Sequence, residues 1–143
     1  MADTPAMATT ILRTAEETIA FGHAYAGTLE SGDVLGICGE LGAGKTHFVK
    51  GLVAGLGAEC AVTSPTFTLI HEYRGGRLPL FHADWYRVEE EQELLKIGIE
   101  DYLADDGIVA VEWADKFRGA LPPHTRWLEF RFCEDGTREV IAG

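Results

Sequence analysis

The chain has 143 residues, 12 Lys+Arg against 23 Asp+Glu, and a formal net charge of −11. That length suits a single domain over 1–143, and 46% hydrophobic residues are enough for a real core, which excludes global disorder. So few cations exclude DNA or membrane binding as the main task, and any anionic substrate then needs a local positive device.

In chain order, residues 1–8 are small and polar and are expected to fray. Thr9–Arg13 reads as a short strand. Thr14 with Glu17 three residues on is a capping box, opening a helix whose stripe of Ile19, Ala20, His23 and Ala24 continues to about Leu29. Ser31-Gly32-Asp33 is a turn, and Val34–Cys38 is an apolar run expected to be a buried strand. Gly39–Gly44 is a glycine-rich loop leading into a helix from Lys45 to about Leu56. Thr66–Tyr73 and Leu78–Ala83 read as strands around the hairpin turn Arg74-Gly75-Gly76-Arg77. Glu89–Lys96 and Ile99–Leu103 read as helices broken at Gly98. Ile108–Glu112 is again a buried strand, Pro122-Pro123 punctuates, and Trp127–Phe132 with Glu139–Ala142 form a last hairpin around Asp135-Gly136. The pattern is α/β, with parallel and antiparallel strands in one central sheet flanked by helices.

The N-terminus has neither a basic n-region nor an apolar h-region, and no run of about 18 apolar residues occurs. Cys38, Cys60 and Cys133 are odd in number and form no C-x-x-C. Reduced, buried thiols in a cytoplasmic protein are the expectation, with neither a disulfide framework nor a zinc knuckle.

One motif carries chemistry. Gly39-Glu40-Leu41-Gly42-Ala43-Gly44-Lys45-Thr46 fits G-x-x-x-x-G-K-[ST] and lies between a predicted strand and a predicted helix. Glycines let successive backbone N–H groups converge, and these with the positive end of the helix hold phosphates. In such a loop the lysine, here Lys45, reaches the β- and γ-phosphates, and the hydroxyl of Thr46 ligates Mg²⁺. This is the positive device that an acidic chain requires. An acid at the end of a neighbouring strand is also needed. Asp84 and Glu112 both qualify, and periodicity does not rank them.

Further segments then resemble one family. Ser64-Pro65-Thr66-Phe67-Thr68-Leu69 is similar to its S-P-T-[FY] segment, and His82-Ala83-Asp84-Trp85-Tyr86-Arg87 to its H-x-D-x-Y-R motif. Glu93-Leu94 with Gly98 is similar to its E-L…G stretch, and Val111-Glu112-Trp113 to its V-E-W. The family is TsaE (YjeE), the ATPase component of bacterial tRNA threonylcarbamoyladenosine synthesis, and the resemblance runs from about Thr14 to Arg138. It implies a compact P-loop fold, ATP/ADP and Mg²⁺ as ligands, slow hydrolysis, and a TsaB–TsaD-like complex as partner. That complex modifies adenosine 37 of tRNAs reading ANN codons, so tRNA is reached only indirectly. Two departures, Ala114 where many members carry Pro and a very short C-terminal tail, leave the phosphate chemistry untouched.

Carried over residue by residue, the resemblance assigns nucleotide contacts to Glu40, Leu41, Gly42, Ala43, Gly44, Lys45, Thr46, Thr66, Trp113 and Arg138. It assigns the metal to Thr46, Glu112 and Asp84, and catalysis to Asp84, Lys45 and Glu112. Ordinary alternatives stand beside these: a solvated strand-end acid for Asp84 or Glu112, a packing aromatic for Trp113, and a turn residue for Thr66. Arg138, after the last hairpin turn, resembles an arginine near the nucleotide. His82 either bonds Asp84 two residues on, along one strand face, or is a satisfied structural histidine. Arg87 either pairs with Asp84 or faces a partner. Alternatives for the whole chain are a small P-loop kinase and a nucleotide-dependent interaction module with negligible turnover. No Arg-rich lid follows Thr46, and the N-K-x-D and L-S-G-G-Q signatures of GTP switches and transporter ATPases are absent. Eight acids (Glu89, Glu90, Glu91, Glu93, Glu100, Asp101, Asp105, Asp106) against Lys96 concentrate the negative charge in residues 89–106. Such a run is usually a solvated face; the sharper reading is a face that docks a basic partner or avoids tRNA phosphates.

Overall fold

The computed structural model describes residues 8–40, 44–58, 70–103 and 106–142. Its strands are β1 (Ala8–Leu12), β2 (Val34–Gly39), β3 (Ile70–Tyr73), β4 (Leu80–Asp84), β5 (Ile108–Glu112), β6 (Arg126–Phe132) and β7 (Arg138–Ala142). Its α-helices are α1 (Ala15–Ala26), α2 (Lys45–Leu56), α3 (Gln92–Ile97) and α4 (Ile99–Leu103). The strands form one mixed sheet in the order β1-β7-β6-β2-β5-β4-β3. β6, β2, β5 and β4 run parallel. β1-β7-β6 is antiparallel, as is β3-β4.

The central strands β2, β4 and β5 are largely apolar up to their carboxyl ends because both of their faces are covered. Leu35, Ile37, Leu80, Ile108 and Ala110 pack with Phe48 and Leu52 of α2. The alternate residues Val34, Phe81, Ala83, Val109 and Val111 pack with Trp85, Leu94 and Ala114 on the opposite side. Period-two alternation thus assigns each strand residue to one of two core layers. Phe48 is fully buried among Phe21, Tyr25 and Phe130, with ring centroids 5.8, 5.7 and 5.4 Å away.

α1 and α2 approach closely through glycine. A Cβ on Gly51 would lie 2.1 Å from the Ile19 carbonyl oxygen, and one on Gly22 would lie 2.3 Å from that of Phe48. The tip of the β3–β4 hairpin then ties down the far ends of both helices. Arg77 donates from Nη2 to the carbonyls of Ala26 (2.8 Å) and Leu29 (3.0 Å), and from its backbone N–H to that of Leu56 (2.6 Å). These bonds satisfy carbonyls that a helix end leaves without partners. Among the described residues no helix is long and apolar enough to cross a membrane.

Several boundaries differ from the sequence reading. Ala8 already belongs to β1, while residues 1–7 lie outside the described residues. α1 ends at Ala26, closed by Gly27, rather than near Leu29. Its cap is modified: Thr14 accepts from the Glu17 N–H at 3.0 Å, but Glu17 reaches back to the N–H of Arg13, not of Thr14. α3 begins at Gln92 instead of Glu89, because the preceding acids form turns whose carbonyls at Glu90 and Glu91 start the helix. Gly98 ends α3 in the left-handed conformation, as its composition predicts. β4 spans Leu80–Asp84 rather than Leu78–Ala83. The sequence reading has no element at Ala114–Ala120, where short 3₁₀ turns kinked at Phe117 carry no apolar periodicity to announce them. The 66–69 part of the predicted third strand lies outside the described residues. Cys38 is buried as expected, Cys133 is only half-buried, and Cys60 lies outside the described residues.

Candidate functional site

The parallel strands β2, β4 and β5 end side by side, and α2 starts over their carboxyl ends, where open α/β sheets bind ligands. β2 ends at Gly39, whose φ of +134° and whose approach to β6 both exclude a side chain: a Cβ would lie 2.2 Å from the Phe130 oxygen. Gly44, at φ +104°, turns the chain into α2 with no side chain capping the helix N-terminus and no acid in its first turn. The first amides and the positive end of the dipole are therefore left for a ligand.

Lys45 is the first residue of α2 and is only 4% exposed. Its Nζ donates to the Gly39 carbonyl at 2.7 Å and lies 3.8 Å from the centroid of the Trp113 ring. Burial lowers its pKa, an effect opposed by the negative charges of Glu112, Asp84 and Asp115. A buried ammonium facing two strand-end acids is the positive device that the acidic composition demanded.

Those acids come together through register. β4 and β5 pair in parallel with Asp84 beside Glu112, so both carboxylates lie on the α2 side of the sheet. Asp84 is partly exposed and accepts from the Tyr86 N–H at 2.8 Å. Burial raises its pKa, and the Glu112 charge adds to this, while the Tyr86 bond, His82 and Lys45 act the other way. Glu112 is 4% exposed, and its Oε2 lies 2.5 Å from Nε2 of the fully buried His82. Of the two readings of His82, the bond to Asp84 is not the one that forms: His82 reaches across to the next strand, and the Asp84 carboxylate is engaged by the backbone. Arg87 is exposed and makes no ion pair with Asp84 among the described residues.

Trp113 has φ +59°, the one positive φ among the described non-glycine residues. This turn directs its ring over Lys45 and against Tyr86, whose ring centroid is 5.0 Å away. A bulky residue held in the left-handed region signals a functional constraint. Lys116 fixes the neighbouring loop by donating to the Tyr86 carbonyl at 2.9 Å. Arg138, first in β7, runs its stem beside Gly44: its Cδ lies 3.4 Å from where a Cβ would stand. Thr46 is half-buried, one residue into α2, and Glu40 is exposed. Leu41, Gly42, Ala43 and Thr66 lie outside the described residues. Sequence reasoning missed Tyr86 as a wall of the site; Cys38, expected as a buried thiol, packs beside the loop, and burial pushes its pKa up to about 11.

Among the described residues no group of three His, Cys, Asp or Glu side chains could hold a metal alone. Magnesium does not require one: it keeps several waters and takes one or two carboxylates plus phosphate oxygens. The residues present fit a magnesium-bound phosphate ligand, since a buried ammonium, an uncapped helix end and two adjacent carboxylates converge.

Fold and site together define a P-loop NTPase-like protein. The family description "Threonylcarbamoyl adenosine biosynthesis protein TsaE" matches residues 12–140, and the chain belongs to the TsaE family. It is 39% identical over 130 residues to the tRNA threonylcarbamoyladenosine biosynthesis protein TsaE of Treponema pallidum, covering 91% of this chain and 96% of that one. The Bacillus subtilis protein of the same description is 43% identical over 125 residues, covering 87% of this chain and 78% of its own. The crystal structure of Bacillus subtilis YdiB superposes with a TM-score of 0.84 at 34% identity, covering 99% of this chain and 87% of that one. The family's role is in tRNA threonylcarbamoyladenosine biosynthesis.

Proposed function

We propose that the chain is a single ATPase domain that binds Mg·ATP in the loop between β2 and α2 and hydrolyses it slowly. The observation that carries this reading is the buried Lys45 ammonium at an uncapped helix end, opposite Asp84 and Glu112. Gly44, the 40–43 amides and Lys45 would hold the phosphates, with Arg138 and Thr66 at their edge and Trp113 beside the nucleotide. Thr46, Glu112 and Asp84 would hold Mg²⁺ or its waters; the ion, when bound, supplies charge neutralisation for phosphoryl transfer to water. Asp84, with a carboxyl pKa already raised by burial, is suited to orienting the attacking water.

Activity of this cytoplasmic ATPase supports repeated rounds of adenosine 37 threonylcarbamoylation in tRNAs reading ANN codons, by acting on a TsaB–TsaD-like complex. The tRNA is reached through those partners, in keeping with the net charge of −11. Lys45→Ala and Thr46→Ala should each weaken Mg·ATP binding at least tenfold in titration calorimetry. Wild-type binding and hydrolysis in both variants would refute the proposal.

A further inference from the structure

We propose that His82 is a positioning residue for Glu112: its Nε2–H holds Oε2 and leaves Oε1 free to act on the metal or its water. The inference rests on the proposed ATPase reading and adds to it a fully buried residue outside the proposed nucleotide contacts.

Three observations carry it. The first is geometry. The β4–β5 register sets His82 beside Ala110 and Asp84 beside Glu112. The small side chain at 110 leaves lateral room for the imidazole to reach Glu112 one step diagonally, at 2.5 Å. An ionised carboxylate only accepts hydrogen bonds, so Nε2 carries the proton.

The second is enclosure. The His82 side chain is fully buried and that of Glu112 is 6% exposed. The bond is therefore shielded from water, and it fixes a side chain that would otherwise lose three freely turning torsions when it engages a ligand. The third is the other ring nitrogen. Nδ1 of His82 is buried and has no hydrogen-bond partner among the described residues. The ring's one hydrogen bond among the described residues is thus the one to Glu112. Here the imidazole is committed through Nε2 to one strand-end acid, while Asp84 is held separately by the Tyr86 N–H. The two carboxylates are thus oriented by different devices.

The test uses the intact chain. In wild type, the His82 Nε2–H should appear by nitrogen-edited NMR as a downfield proton protected from exchange, and it should vanish in Glu112→Ala. His82→Leu should lower kcat for ATP hydrolysis 10–100-fold, the range seen when groups supporting a metal ligand are removed. The half-saturating Mg²⁺ concentration should rise, while KM for ATP changes less than about threefold, because Lys45 and the loop still bind the phosphates. His82→Gln, whose amide nitrogen has a similar reach to Nε2, should recover most of kcat. Absence of the protected proton in wild type overturns the inference without using any variant. Slow turnover in Glu112→Gln together with wild-type kcat in His82→Leu overturns it while leaving the ATPase reading standing. Wild-type turnover in Glu112→Gln overturns both.

Discussion

At the scale of single residues, the site is built from charges that the fold itself disfavours. Burial lowers the Lys45 pKa and raises that of Asp84, so each charged form is less stable in the folded chain than in the unfolded one. For Asp84 the sign follows directly. The folded pKa lies above the ordinary 3.8, so folding takes up a proton in between, and stability falls as pH rises from 3.8 through the folded value. Above that value the penalty is constant. Asp84→Asn keeps an oxygen for the Tyr86 N–H but removes the charge. It should therefore unfold at higher urea than wild type at neutral pH, and its stability should lack this fall; parallel denaturation curves at several pH values check both. That Lys45, Asp84 and Glu112 come together was legible in the sequence because the P-loop spacing and the strand-end acids are local patterns. The His82–Glu112 contact was not, because it joins positions 30 residues apart through a strand register that local spacing does not encode.

At the scale of elements, the placement of Lys45 and Thr46 depends on how closely α2 can lie against α1. Gly51→Ala puts a methyl 2.1 Å from the Ile19 oxygen, a backbone atom that cannot swing away. The helices must separate, which should destabilise the fold by about 1–3 kcal/mol and weaken nucleotide binding by displacing the N-terminus of α2. Gly119→Ala, where nothing lies within 4 Å, is the matched control and should stay within about 0.5 kcal/mol. Thermal unfolding of the two variants side by side reads the difference. The central strands were legible for the same physical reason that they are stable: sheets covered on both faces need unbroken apolar runs, as in Val34–Cys38 and Ile108–Val111. α3 starts later than the sequence predicts: glutamate suits helix interiors well, yet Glu89–Glu91 are exposed and have no apolar face to bury. The 3₁₀ helix follows from the left-handed turn at Trp113, a conformation that residue type alone argues against.

At the scale of the whole molecule, the negative charge is distributed unevenly. Glu89, Glu90 and Glu91 are exposed, and their side chains take no partner among the described residues. Replacing all three with Gln should change stability by no more than about 0.5 kcal/mol and leave Mg·ATP binding unaltered, since surface charges away from contacts contribute little; denaturation and calorimetry on the triple variant test this. Near the site the cations are placed singly: Lys45 is buried at the start of α2, and the Arg138 stem runs beside Gly44. The central claim is that nucleotide turnover at this site drives repeated tRNA modification through a partner complex. Its most direct test is threonylcarbamoylation of an ANN-reading tRNA by a purified TsaB–TsaD-like pair, followed past one product per complex. The account predicts that product continues to accumulate with wild type and stalls near one equivalent with Asp84→Ala or without the protein. Equal accumulation in all three reactions would contradict it.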